Sequence, residues 1–294
     1  MTKNRNLKRR IRARASKTGE SYSSARRHVL PPTGPVSIFE GERPADYLLR
    51  AAASAAGQAY KALAIEQLAV QPGDTVLDLG CGTGGELEPL LRSLGPGGSL
   101  IGVDTDENAL RAARERFADP RLRLLTGDAH ALHFGDDAVD RVYVDRTAQH
   151  LAAPATALDG LRRILRPGGR VVLAEPDWQT LLVDSPEPEL AEAYRRFVID
   201  RLIRNPRIGS ELPRLVQDAG LRLDTVIPVT ATYTDPVEGD RIFGFARVTR
   251  RSVAAGYLDQ AQADRWLQHL AGRTFFASLT IFITVARRPS VPLC

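Results

Sequence analysis

The stretch TVLDLGCGTGG, residues 75–85, narrows the possible folds more than any other feature of the chain. A short apolar run carrying one aspartate ends in Gly80, Gly82, Gly84 and Gly85, and the amphipathic GELEPLLRSL follows directly. A strand that turns into a helix through glycines is a ligand-cradling element, because glycine tolerates positive φ and lets a ligand approach the backbone. The spacing does not choose the ligand. Gly80, Gly82 and Gly85 satisfy G-x-G-x-x-G, whereas Gly80, Gly82 and Gly84 satisfy G-x-G-x-G.

Further apolar runs recur at residues 99–104, 121–128, 140–145 and 169–176, separated by the amphipathic ENALRAARERFA and ATALDGLRRILRPGG. Strands alternating with helices predict an α/β fold with a parallel, doubly wound sheet. Residues 44–70 read as an alanine-rich helix packed on that sheet or over its cleft, and 187–204 and 206–220 as two more helices. Residues 221–233 and 274–288 read as a final strand pair. The intervening segment, with Phe243, Phe245, Tyr257 and Trp266, is expected to cap an acceptor pocket.

Charge is concentrated at the start of the chain. Residues 1–28 hold ten Lys or Arg against Glu20, so this arm carries +9 and the remainder −4 of a total of +5. The arm suits phosphate or an acidic partner, nucleic acid included. A proline-rich break at 30–35 separates this extension, residues 1–34, from one domain over 35–294, with a cofactor-binding core at 70–180 and an acceptor-side cap with the final strands at 181–294. No apolar run approaches the roughly 18 residues of a membrane span. Cys81 and Cys294 suggest neither a disulfide framework nor a metal cluster, and the expected home is a reducing cytoplasm.

In a doubly wound sheet the ligand lies beyond the carboxyl ends of the strands at the switch point. Asp104 ends the second strand 24 positions after Gly80, where a carboxylate can accept both ribose hydroxyls of a nucleoside. A nicotinamide dinucleotide would also fit that position. Asp78 beside the glycines and the Gly-Asp-Ala at 127–129 shift the balance, since acidic groups there repel a pyrophosphate and suit a cationic ligand.

VLDLGCGTG, GVDTDENAL, GDAHALHFGDDAVDRVY and LRRILRPGGRVVLAEPDW resemble, in order, the motifs of the class I S-adenosylmethionine-dependent methyltransferases, and among them the UbiE/Coq5-like (methyltransferase type 11) small-molecule group. The resemblance is close over residues 70–180. It implies a Rossmann-like sheet of seven strands, mostly parallel with an antiparallel last strand, and S-adenosyl-L-methionine as cofactor. It makes Asp78, Gly80, Cys81, Gly82, Thr83 and Gly84 the loop around the methionine moiety, with Cys81 a filler and not a nucleophile. Asp104, with Thr105 beside it, would hold the ribose; Asp128 and the backbone of Ala129 would read the adenine edge. Asp145, at the end of the fourth strand, completes the cofactor set.

Methyl transfer is an in-line displacement at a sulfonium, so the enzyme must align a nucleophile and exclude water. Candidates for this work lie in VDRTAQHL, residues 144–151. His150 is a candidate base by its near-neutral ordinary pKa, Arg146 a partner for a carboxylate or phosphate, and Asp145 a third candidate. Glu175, Asp177 and Trp178 are expected where an acceptor enters, while His130 and His133 read as surface or packing residues. The expected reaction is methylation of a small molecule, of secondary-metabolite or quinone-like type. The alternative is RNA methylation, with the basic arm gripping phosphates.

Overall fold

A computed structural model describes residues 55–272 and 274–290. The basic arm and the proposed extension 1–34 lie outside the described residues, as does Cys294. The strands are β1 (Thr75–Leu79), β2 (Ser99–Asp104), β3 (Leu122–Thr126), β4 (Val139–Asp145), β5 (Leu165–Val183), β6 (Arg222–Tyr233) and β7 (Ala277–Arg287). The helices are α1 (Ala55–Leu68), α2 (Leu87–Ser93), α3 (Glu107–Arg116), α4 (Pro154–Ile164), α5 (Pro188–Phe197), α6 (Ile208–Asp218), α7 (Pro236–Phe243), α8 (Phe245–Ala254) and α9 (Gln260–Leu270).

The seven strands form one sheet in the order β3-β2-β1-β4-β5-β7-β6. β1 pairs in parallel with β2 and β4, β2 with β3, and β4 with β5, whereas β7 runs antiparallel to both β5 and β6. The last strand is therefore the antiparallel one, as the resemblance implies. The chain leaves β1 toward one edge through β2 and β3, then returns to β1's other side as β4. That reversal is the switch point, and it opens a crevice above the ends of β1 and β4.

Strand parity explains the layers. Leu77, Leu79, Ile101 and Val103 face α4 and α6, burying Leu161, Leu212 and Val216 with them. Val76, Leu100 and Tyr143 face the opposite side, against Tyr60, Ala64 and Leu68 of α1 and the buried leucines of α2. With both faces covered, the central strands must be apolar nearly throughout. Asp78 breaks that rule, being 2% exposed in the middle of β1. A third cluster lies beyond the sheet, where α5, α7, α8 and α9 pack Tyr194, Phe243, Phe245 and Trp266 together. The last three of these helices fall in the segment between β6 and β7 that the sequence predicts to be helical.

β5 is longer than the sequence suggests, 19 residues in place of the run 169–176. Its pairing with β4 ends at Asp145↔Ala174, yet it continues along β7 to Val183, with a register shift between Asp177 and Leu182. Pro176 is tolerated because no β4 residue is opposite it to need its missing N–H. The extension carries Glu175 and Asp177 beyond the end of β4 while still paired with β7, and brings Trp178 into the cap cluster.

Candidate active site

The glycine loop is shaped by backbone conformations that only glycine adopts readily. Gly80 has φ +81°, and a Cβ there would lie 2.0 Å from Oγ1 of Thr147. The Gly80 and Cys81 N–H groups both donate to the Val103 carbonyl, at 2.7 and 3.1 Å, which ties the loop to the end of β2. Asp104 completes the tie, since one of its oxygens accepts from Gly82 N at 2.8 Å and the other from Asp106 N at 2.9 Å.

The loop forms one wall of a cleft of about 470 Å³, within the range of small-molecule sites. Gly80, Cys81, Gly82, Thr83, Asp104, Thr105, Asp128, Ala129, Asp145, Arg146 and His150 all line it. Two of the expected residues do not. Gly84 (φ +81°) lies behind the loop, where a Cβ would meet Leu87 and Phe117. Asp78 sits beneath the wall on the α1 side of the sheet, and its Oδ2 has no hydrogen-bond partner among the described residues. Burial, with the nearby carboxylates of Glu86 and Asp145, holds Asp78 well above the usual carboxylate range.

Several lining residues were not anticipated. Lys61 of α1 reaches Glu86 and Asp145 at once, and Tyr60 donates its hydroxyl to Asp145 at 3.0 Å. His130 also lines the cleft, contrary to its reading as a surface or packing residue. Its Nε2 accepts from Ala153 N at 3.1 Å, so the ring proton is on Nδ1, which lies 2.6 Å from Asp128 Oδ1. This bond and the His130 backbone N–H favour the charged carboxylate and lower Asp128's pKa. His130 thus fixes the orientation of Asp128 at the cleft rim.

The wall after β4 is held from behind. Thr147, Ala148 and Gln149 donate their N–H groups to the Glu175 carboxyl at 2.7, 2.5 and 3.2 Å, capping the short 3₁₀ turn Ala148–His150. Burial pushes Glu175 up to about 8 against those three donors, which favour its charged form. Gln149 in turn donates to the Arg146 carbonyl at 3.1 Å and accepts from Trp178 Nε1 at 3.0 Å. Arg146 itself has φ +53°, costly for a residue with a Cβ. It keeps that conformation because its N–H is also fixed, by the Ala174 carbonyl at 3.0 Å. Glu175 and Trp178, expected at the acceptor's path, therefore shape the loop. Asp177, 2% exposed, accepts from Gln179 and Ser210 and does the same for the next turn.

Beside this cleft is a second, smaller cavity of about 30 Å³. Its walls include Tyr60, Trp178, Tyr233, Phe243 and Ile281, and Arg146 lines both spaces. His150 stands on the cleft side. Desolvation in the wall, with the positive charges of Arg146 and Arg204, lowers its pKa to about 4. The residue is nonetheless exposed to solvent, so that desolvation is partial and the two arginines act beside it.

The residues present fit S-adenosylmethionine. A buried carboxyl oxygen without a partner, a loop from which a Cβ is excluded, and acidic groups at Asp104, Asp128 and Asp145 suit a nucleoside carrying positive charge. When bound, that group supplies an electrophilic methyl on a sulfonium.

Comparison with known proteins agrees. The family model described as a methyltransferase domain matches residues 77–173. An uncharacterised 37.1 kDa protein in transposon TN4556 of Streptomyces fradiae is 41% identical over 253 residues, 85% of this chain and 73% of that protein. Demethylmenaquinone methyltransferase of Staphylococcus aureus is 32% identical over 136 residues, 46% of this chain and 55% of that enzyme. The structure of a geranyl diphosphate methyltransferase in complex with S-adenosylmethionine superposes with a TM-score of 0.51 at 17% identity, covering 87% of this chain and 97% of that one. The glycine loop, the switch-point cleft and these relationships lead to one conclusion: the chain belongs to the class I S-adenosylmethionine-dependent methyltransferases.

Proposed function

We propose that this methyltransferase acts on a small, largely apolar acceptor of secondary-metabolite or quinone-like type, seated in the aromatic cavity beside the cofactor cleft. The observation that carries this reading is the cavity itself, lined mostly by apolar and aromatic side chains and sharing Arg146 as a wall with the cleft. The partial similarity to a quinone-methylating enzyme supports it. At about 30 Å³ the cavity has room for little more than water, so seating an acceptor there requires its walls to move apart.

In this reading Asp104 and Thr105 hold the ribose, Asp128 and Ala129 the adenine edge, and the loop from Gly80 to Thr83 the methionine moiety. Asp78 and Gly84 act from behind, through the loop's charge and shape. Arg146 pairs with an acidic oxygen on the acceptor, and a neighbouring cation favours the ionised form of such a group. The nucleophile is then an oxyanion, or the carbon conjugated with it. His150, lowered below the ordinary imidazole range beside Arg146 and Arg204, is poorly suited to take a proton from a phenol of pKa about 10. We assign it to the cleft wall, with Arg146 preparing the acceptor.

Two substitutions test the assignment. Asp104→Ala removes charge-assisted hydrogen bonds worth about 1.5–3 kcal/mol, and calorimetric titration is expected to show cofactor affinity falling by that amount. Unchanged affinity would remove Asp104 from the site. Ala231→Phe puts a ring into the second cavity, whose wall includes Ala231. It is expected to cut methyl transfer to acceptor at least about tenfold while cofactor affinity stays within about twofold. Transfer at the original rate would place the acceptor elsewhere.

A further inference from the structure

Lys61 enters the cleft from α1, outside the glycine and aspartate motifs. Its ammonium is shared between Glu86 on the glycine loop and Asp145 at the end of β4, and all three line the cleft. The side chains are nearly buried, at 14% exposure for Lys61, 12% for Glu86 and 7% for Asp145. Asp78 lies behind them, its Oδ2 without a partner among the described residues. Two carboxyl groups therefore hold one ammonium, and the Asp78 carboxyl lies close enough to feel all three. Desolvation opposes charge on Lys61, but Asp145, Tyr60 and Glu86 prevail and raise its pKa. Desolvation pushes Glu86 up, and Lys61 pulls it back toward its ionised form.

S-adenosylmethionine and S-adenosylhomocysteine differ by one methyl and one positive charge on sulfur. Cofactor and product thus share every polar contact a cleft makes with the adenosine, the amino group and the carboxylate. What separates them electrostatically is the field at the sulfur. In a partly buried site, a unit charge several ångströms away changes that field by an amount felt in affinity.

We propose that Lys61 is a specificity-determining residue of the cofactor cleft: by offsetting one negative charge of the Glu86 and Asp145 pair, it sets how strongly the protein prefers the cationic cofactor to its neutral-sulfur product. A cleft with both carboxylates uncompensated holds the sulfonium more tightly, and Lys61 moderates this. The inference rests on the cofactor alone and is independent of the acceptor.

The test is calorimetric titration of the full chain with S-adenosylmethionine and with S-adenosylhomocysteine, at about pH 8.5, since alkaline pH favours the ionised form of buried carboxyl groups. The quantity read is the product Kd divided by the cofactor Kd. Lys61→Met is expected to raise this ratio at least about threefold, Glu86→Gln to lower it at least about threefold, and Lys61→Arg to leave it within about twofold. Raising the salt concentration leaves the direction of each change intact, since the groups are largely buried. A lysine that merely braces α1, or that pairs with the carboxylate common to both ligands, gives a different result. Both affinities then fall together on Lys61→Met with the ratio constant, and that outcome overturns the proposal. Should Lys61→Met fail to fold, Glu86→Gln decides alone: a constant ratio there overturns it equally.

Discussion

Replacing Gly80 by alanine is expected to abolish useful cofactor binding while leaving the fold intact. Two costs combine. At φ +81° a residue with a Cβ pays about 1–2 kcal/mol. The added Cβ would also lie 2.0 Å from Thr147 Oγ1, 2.7 Å from its Cγ2 and 2.9 Å from its Cβ. Thr147 cannot turn away freely, because its N–H is held by Glu175 and its hydroxyl by the Asp145 carbonyl at 3.1 Å. The loop must shift instead, and it carries the N–H of Gly82 that Asp104 accepts. An affinity loss of at least about 100-fold, near 2.7 kcal/mol, is expected by calorimetry. Adding Thr147→Ala removes the two nearest atoms and is expected to restore about tenfold, leaving the backbone cost in place. No recovery in the double variant would show that the contact with Thr147 does not govern the loop.

The second large effect lies in the cap. Trp266 of α9 is fully buried, with ring centroids 5.7 Å from Tyr194 and 6.2 Å from Phe245. Trp266→Ala is expected to cost about 3–5 kcal/mol of stability, as large-to-small changes in well-packed cores do. The indole Nε1 has no hydrogen-bond partner among the described residues, so its N–H contributes nothing that phenylalanine would lose. Trp266→Phe is therefore expected to cost less than about 1.5 kcal/mol. Urea denaturation followed by circular dichroism measures both. A cost below about 1 kcal/mol for Trp266→Ala would mean that the cap unfolds apart from the sheet.

Much of this architecture can be read from the chain because its signals are local. The β-branched runs of β1, β2, β4 and β7 and the glycines after β1 announce a buried parallel sheet and its ligand loop. Cleft residues contributed by strand ends, such as Asp104 and Asp145, follow from the same reading. What escapes it depends on contacts between distant segments. Lys61 and Asp145 are 84 positions apart, and an alanine-rich helix gives no sign that its one lysine turns inward. Strand parity does hint that Asp78, two positions from Val76, faces α1 and not the ligand. The role of Glu175 is hidden for a different reason. Pro176 reads as the end of β5, whereas the strand runs on because β4 has already stopped. His130 could have been found by its spacing from Asp128, since an aspartate two residues before a histidine can accept from both its N–H and its ring.

The most direct test of small-molecule methylation is to incubate the full chain with methyl-labelled S-adenosylmethionine and a cell lysate separated into small-molecule, RNA and protein fractions. The expected result is label in the apolar part of the small-molecule fraction, in a compound heavier by one methyl group, and its absence when Ala231→Phe replaces the natural chain. Label confined to RNA or protein would contradict the acceptor assignment and transfer the substrate-binding role to residues outside the aromatic cavity.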